Sequence, residues 1–531
     1  MKLFTIGDSV SQGFMSLAAA RTDNAYSTLI AKQLGLQLNS DEYHFADWND
    51  TGIPLNIEVI MRELQSRYGT NIGGLEWLTV GQTINRIVDR AEDYYERGDG
   101  REDVPYDKIG TRFFNNAAVW GFDVADSFQV TAKTCKTAIL LSQKEKPTGD
   151  NLFSLGADNP MYRTALKILN PSLDPAFDDF SQLSWLNLHA TGKGDNGKNV
   201  TDQNGNQVKG AGVENLILWL GANNALGTVL KLKINQTPNR KDMRPHTIDH
   251  LLRAKAKWNL WHPEDFAADY RVMIDRVDAI MRQNLEPNWK VFIGTVPLVT
   301  IAPIAKGIGE TTEVPIVKKV DGKKIVTGGV YYKNYTYFPF EEDFAIETGK
   351  YLTMQDALHI DNCIREYNRI IKDEVDRLNK AHGKIERYFV VDTCQMLEDL
   401  AYKRNNGHPP YELPEELQFI YPPVNTKYYY ADTEGRLKQG GLFSLDGVHP
   451  TSIGHGIIAF EFLKRMGDVG VKNAGGNPVS RDLDWRGEKG ILQSDLLYSQ
   501  PIRIMQEIYG KGAVASLASR VIDFITSVSQ K

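Results

Sequence analysis

Five short apolar runs, each broken by a glycine or a small polar turn, constrain the fold of this chain more than any other feature. They are "LFTIGDSVSQGF" (3–14), "RFFNNAAVWGFDVAD" (112–126), "VENLILWLGANNALG" (213–227), "WKVFIGTVPLV" (289–299) and "RYFVVDTCQML" (387–397). Continuous apolar runs, as opposed to strict alternation, suit strands buried on both faces of a parallel sheet. Between them lie stretches with apolar residues three and four apart, at 26–31 before Leu34-Gly35, at 264–285 and at 363–381, which predict helices. Strand and helix in alternation predict an α/β sandwich around a mostly parallel sheet. In open sheets of this type ligands sit beyond the carboxyl ends of the strands, where each of these turns falls.

The spacing between the runs is uneven. The stretches near 37–111, 142–212 and 300–350 are too long for plain connections and predict inserted substructures within one domain of residues 1–470. Within them, "VPIVKKVDGKKIVTGGVYY" (314–332) reads as a hairpin turning at Asp321-Gly322, and the Gly/Asn-rich 192–212 as a mobile loop. Residues 471–531 read as a C-terminal helical extension of amphipathic character.

Composition narrows the partners. With 42% hydrophobic and 24% charged residues over 531 positions, the balance is that of an ordinary globular protein. A net charge of −6 without a long basic run implies neither nucleic acid nor an anionic membrane as partner. Cys135, Cys363 and Cys394 have no CxxC spacing, so neither a disulfide framework nor a zinc knuckle is expected, and a reducing compartment fits. Apolar runs such as 216–220 fall far short of the ~20 residues a membrane helix needs. Residues 2–6 already read as a core strand, leaving no room for a signal peptide, so a cytoplasmic location is expected.

Ser9 has two readings on local grounds. The turn Gly7-Asp8-Ser9 could hold a nucleophilic hydroxyl at a strand end, and it is equally what an ordinary helix N-cap looks like. Far away, "FSLDGVHPTSIGHGIIAFEFL" (443–463) places Asp446 three residues before His449 in a Gly-containing turn. A serine attacking a carbonyl needs an imidazole to take its proton and a carboxylate on the other ring nitrogen; a turn with a helix cap would look the same. Oxyanion donors are commonly backbone N–H groups and an Asn side chain. Gly221 and Asn223 in "GANN" and Gly121 in "AAVWG" stand at strand ends where they could serve, and where turn chemistry alone would also put them. Among the remaining histidines, His455 reads as a helix residue or an alternative base. His246 and His250, four apart, lack the acid of a metalloenzyme motif and read as a solvated helix face. The aromatic clusters at 330–340 and 421–431 read as packed faces or as the lining of an acyl or sugar pocket.

Taken in order, "TIGDSVSQG", "NNAAVWG", "LILWLGANN" and "DGVHPTSIGH" resemble the four blocks of the SGNH hydrolases, the GDSL esterase/lipase family. The resemblance covers the core elements across 1–465 and not the insertions. The first block reads GDSV where the family name has Leu, and Asn224 stands where an Asp is common. The resemblance implies a flavodoxin-like three-layer α/β/α sandwich. It also implies Ser9 as nucleophile, His449 as general base and then acid, and Asp446 as its orienting partner. The oxyanion hole would be built from Ser9 N–H, Gly121 N–H and the Asn223 side chain, with no metal and no cofactor. The expected activity is that of a serine ester hydrolase acting on carboxyl or lipid-like acyl esters. Acyl transfer to another alcohol through the same first half-reaction, and a catalytically silent binding protein of the same fold, are the alternatives.

Overall fold

The computed structural model describes residues 1–19, 21–48, 55–70, 72, 76, 79–80, 82–84, 86–87, 90, 94, 101–106, 113–145, 160–239, 258–320 and 323–505. It is a mixed α/β structure with a four-stranded parallel sheet. The strands are β1 (Leu3–Gly7), β2 (Asn215–Trp219), β3 (Lys290–Gly294) and β4 (Tyr388–Val391), and they lie side by side in that order. Their registers run Leu3 beside Asn215, Asn215 beside Lys290 and Val291 beside Tyr388, so the carboxyl ends of β1 and β2 finish level at Gly7 and Trp219.

The apolar runs have the composition they do because both faces of the sheet are covered. Phe4, Ile6, Leu216, Leu218, Val291 and Ile293 enter one buried cluster, while the intervening Leu3, Ile217, Trp219 and Phe292 enter another. Helices at Pro263–Met281 and Met354–His382 supply the first cluster through Phe266, Tyr270, Ile364 and Tyr367. The second takes Tyr26, Leu29 and Ile30 from a helix at Tyr26–Gln33, and Ile457, Ile458 and Phe462 from a helix at Ser452–Asp468. The helix Met354–His382 begins at a capping box: Thr353 Oγ1 accepts from Asp356 N–H at 3.2 Å, and Asp356 Oδ2 accepts from Thr353 N–H at 2.8 Å.

The segment 112–126, expected as a strand, is a correction. Asn116 makes only an isolated parallel bridge to Thr5, although Ala117 N–H and Val119 N–H do donate to Thr5 and Gly7 carbonyls at 3.0 and 3.2 Å. The pairing is short because β1 itself ends at Gly7, leaving only Thr5 and Gly7 to receive it. The side chain of Asn116 adds local bonds, its Oδ1 accepting from Ala118 N–H at 3.2 Å and its Nδ2 donating to Ser11 O at 2.7 Å. The expected hairpin is present as a long antiparallel pair, Ala305–Val320 with Lys323–Tyr337 in register to Val320 beside Lys323; its turn at Asp321-Gly322 lies outside the described residues. The polar 192–212 segment, read as a mobile loop, carries a short antiparallel pair, Val200–Thr201 with Gln207–Val208. Residues 491–499 form two short helices, whereas the amphipathic pattern at 514–530, and His246 and His250, lie outside the described residues.

Candidate active site

Gly7 ends β1 because nothing larger fits: a Cβ there would stand 2.1 Å from Ser11 Oγ. The chain then turns into a one-turn helix at Ser9–Gln12. Asp8 caps it, its Oδ1 accepting from Val10 N–H at 3.1 Å, and Gly13 at φ +84° closes it. Ser9 is therefore the first residue of a helix, two residues beyond the end of a buried strand. Its N–H, like the other first-turn donors of a helix, has no carbonyl behind it to bond.

The turn after Leu442 is folded around one carboxylate. Asp446 Oδ1 accepts from Val448 N–H at 2.8 Å, His449 N–H at 2.9 Å and Ser444 Oγ at 3.2 Å. Its Oδ2 accepts from His449 Nδ1 at 2.8 Å and Leu17 N–H at 2.9 Å. Gly447, at φ +67°, supplies the left-handed residue between them. On the far side of the ring, His449 Nε2 stands 2.9 Å from Ser9 Oγ. Sequence positions 440 apart are thus joined in one row of hydroxyl, imidazole and carboxylate, each residue less than one-tenth exposed.

The electrostatics fix the direction of that row. Burial by itself would raise the Asp446 carboxyl, but the attraction of His449 and the hydrogen bonds from His449 and Leu17 outweigh it and hold the group below the ordinary carboxylate range. An ionised carboxylate only accepts, so the imidazole proton sits on Nδ1 and the Nε2 lone pair faces Ser9. Phe14 packs on the ring at 4.7 Å between centroids, which limits its rotation. Asp8, next to Ser9, is pushed by burial up to about 7.

The expected oxyanion residues converge on the same strand ends. Gly121 adopts φ +79°, and Asn223, in a 3-10 turn after Gly221, donates from Nδ2 to Phe122 O at 2.8 Å. The amide of Asn223 thus lies against the turn that carries Gly121. Its neighbour Asn224 is fully buried and accepts from Val124 N–H at 3.3 Å, bracing that turn from behind. His455 stands within the helix Ser452–Asp468, the first of its two readings: it is fully buried, its Nδ1 accepts from Tyr26 N–H at 3.3 Å, and burial lowers its pKa to about 3. The cluster at 330–340 is largely packing, with Tyr331, Tyr335, Tyr337 and Phe340 all buried. Among the described residues no group of three or more His, Cys, Asp or Glu is placed to hold a metal ion.

Several participants had no signature in the sequence. Gln12 Oε1 accepts from Trp120 N–H at 2.9 Å, tying the helix of Ser9 to the turn of Gly121, while its Nε2 is buried without a hydrogen-bond partner. Ser16 and Leu17, at φ +50° and +64°, give their N–H groups to Ser444 Oγ at 2.8 Å and to Asp446. Among the described residues no helix is long and apolar enough to cross a membrane. Comparison with protein-family models, with curated proteins and with solved structures found no match to this chain.

Proposed function

We propose that the chain is a serine ester hydrolase of the SGNH kind, acting on carboxyl or lipid-like acyl esters. The observation that carries this reading is the row from Ser9 Oγ through His449 to Asp446, with spacings of 2.9 and 2.8 Å. Ser9 Oγ attacks the acyl carbon while its proton passes to His449 Nε2. The imidazolium, steadied by Asp446, returns that proton to the departing alkoxide, leaving an acyl group on Ser9. Water then loses a proton to the same nitrogen as it attacks the acyl-enzyme, and Ser9 takes the proton back. The N–H groups of Ser9 and Gly121 and the amide of Asn223 receive the negative charge on the carbonyl oxygen.

The flavodoxin-like arrangement is part of the same proposal. Counting the 115–119 segment beside β1 as second in chain order, the spatial order of the parallel segments is 2-1-3-4-5. Helices on both faces of that sheet support the three-layer reading.

Intact mass after treatment with a fluorophosphonate tests the chemistry. One label per chain is expected, absent in Ser9→Ala and in His449→Ala; a folded protein that takes no label rules the reading out. Turnover of a panel of acyl esters, with glycerol or short alcohols added, then separates hydrolysis from acyl transfer by the products formed.

A further inference from the structure

We propose a second binding site, separate from Ser9, in a groove of about 650 Å³ on the C-terminal part of the chain, and we assign it to a neutral saccharide. The groove runs between the loop after a short helix at Glu415–Gln418 and the pair of helices Ile491–Ser494 and Leu496–Ser499. Two of its lining side chains, Phe419 at 79% and Tyr421 at 91%, are more exposed than any other large hydrophobic residue described. Exposed apolar side chains scattered singly need no explanation, but two rings beside one concavity mark a surface that something covers. Tyr498 adds a third ring, held by its hydroxyl at 3.4 Å from Pro422 O.

The polar lining selects the ligand. Arg486 and Glu488 are one cation and one anion, so the groove offers no net charge to a phosphate or to a cationic ligand. The guanidinium is already positioned, its Nη2 donating to Glu416 O at 2.8 Å. Ser499, on the same lining, brings a hydroxyl beside these two charges. A pyranose has apolar C–H faces to lie on aromatic rings and a rim of hydroxyls that donate and accept, which matches rings interleaved with Arg, Glu and Ser. A membrane surface or a packed peptide helix would call for a continuous apolar floor. A groove of this volume accommodates roughly one or two sugar rings. Its floor is firmly built, since Asp495, between the two short helices, accepts from Ile453 N–H at 3.0 Å and from Tyr498 N–H at 3.2 Å.

Affinity electrophoresis of the full chain tests this, in gels containing soluble xylan, mixed-linkage glucan, galactan or dextran. Retardation by at least one polymer is expected, weakened about tenfold or more in the Phe419→Ala/Tyr421→Ala double variant, since aromatic anchors dominate such contacts. Both rings project into solvent, and a circular dichroism spectrum and urea unfolding midpoint matching the parent's check that the fold of the double variant is intact. Ser9→Ala should bind as the parent does, so failure of the ester-hydrolase reading leaves this result untouched. No retardation by any of the four polymers, or retardation unchanged in the double variant, overturns the assignment. So does self-association of the parent, seen by sedimentation and lost in the double variant, which would give the groove to a second copy.

Discussion

Exchanging Asp446 for Asn changes one atom and reverses the proton order of the site. The carboxylate receives donors on both oxygens: Val448 N–H, His449 N–H and Ser444 Oγ on Oδ1, Leu17 N–H and His449 Nδ1 on Oδ2. An Asn whose oxygen keeps the three turn donors must direct its NH₂ at Leu17 N–H and at Nδ1. An amide nitrogen only donates, so the imidazole is driven to the tautomer protonated on Nε2, which then presents a hydrogen where Ser9 needs a lone pair. The corresponding exchange in the Ser-His-Asp protease template lowers kcat by about 10⁴. Asp446→Asn is expected to lower kcat for a short acyl ester by about 10³ to 10⁴, with KM little changed, and to slow fluorophosphonate labelling in parallel. Leu17 N–H, left facing another donor in a buried site, adds about 1–3 kcal/mol of lost stability. Labelling followed by intact mass, on protein whose circular dichroism matches the parent, measures the first effect and urea unfolding the second. A labelling rate within tenfold of the parent would refute the tautomer argument.

Three further perturbations address the parts around that row. Gln12→Leu releases Trp120 N–H, and kcat should fall about 10- to 100-fold through displacement of the Gly121 turn; unchanged ester kinetics would reduce Gln12 to packing. Gly121→Ala meets two obstacles, φ +79° and a Cβ only 2.8 Å from Met161 Sδ, so it should lose kcat by about 10² or more. Adding Met161→Ala should recover only the steric part, which steady-state kinetics of the single and double variants will show. Asp8 tests linkage: with its pKa at about 7 in the fold against 3.8 outside it, the folded chain keeps a proton that the unfolded chain has lost between those values. Stability should therefore fall as pH rises from about 4 to 7, by at most on the order of 4 kcal/mol from this group. Asp8→Asn can still cap Val10, so urea unfolding at pH 4.5 and 7 should show a smaller pH difference in the variant, and an equal difference would discount the group.

The parts of this architecture that could be read from the sequence are those set by short-range chemistry. β1 to β4 are continuous apolar runs because both faces are covered, and the Asp446–His449 turn is legible because three residues around a glycine let a carboxylate fold back on an imidazole. The long hairpin is legible for a similar reason, its β-rich arms flanking Asp-Gly. At 112–126 the apolar count holds in part: residues 115–119 do bond to β1 through Asn115 O, Ala117 N–H and Val119 N–H, but the pairing amounts to one bridge at Asn116 and not to a full strand. What no local pattern shows is the set of bonds that cross the chain. Ser16 to Ser444 and Leu17 to Asp446 join positions 428 and 429 apart, and Gln12 to Trp120 joins positions 108 apart.

Those bonds give the segment 7–17 a role that its motif alone does not suggest. Its middle, through Gln12, holds the turn of Gly121, and its end, through Ser16 and Leu17, holds the turn of Asp446 and His449. Ser9 stands three residues before the first anchor, on a helix of one turn whose own hydrogen bonds are too few to fix it. The placement of Ser9 against His449 is therefore a property of the three segments together. A change at Gln12, Ser16 or Ser444 that leaves Ser9, His449 and Asp446 in the sequence should still loosen the row they form, because these side chains carry bonds that tie the segment to the two turns.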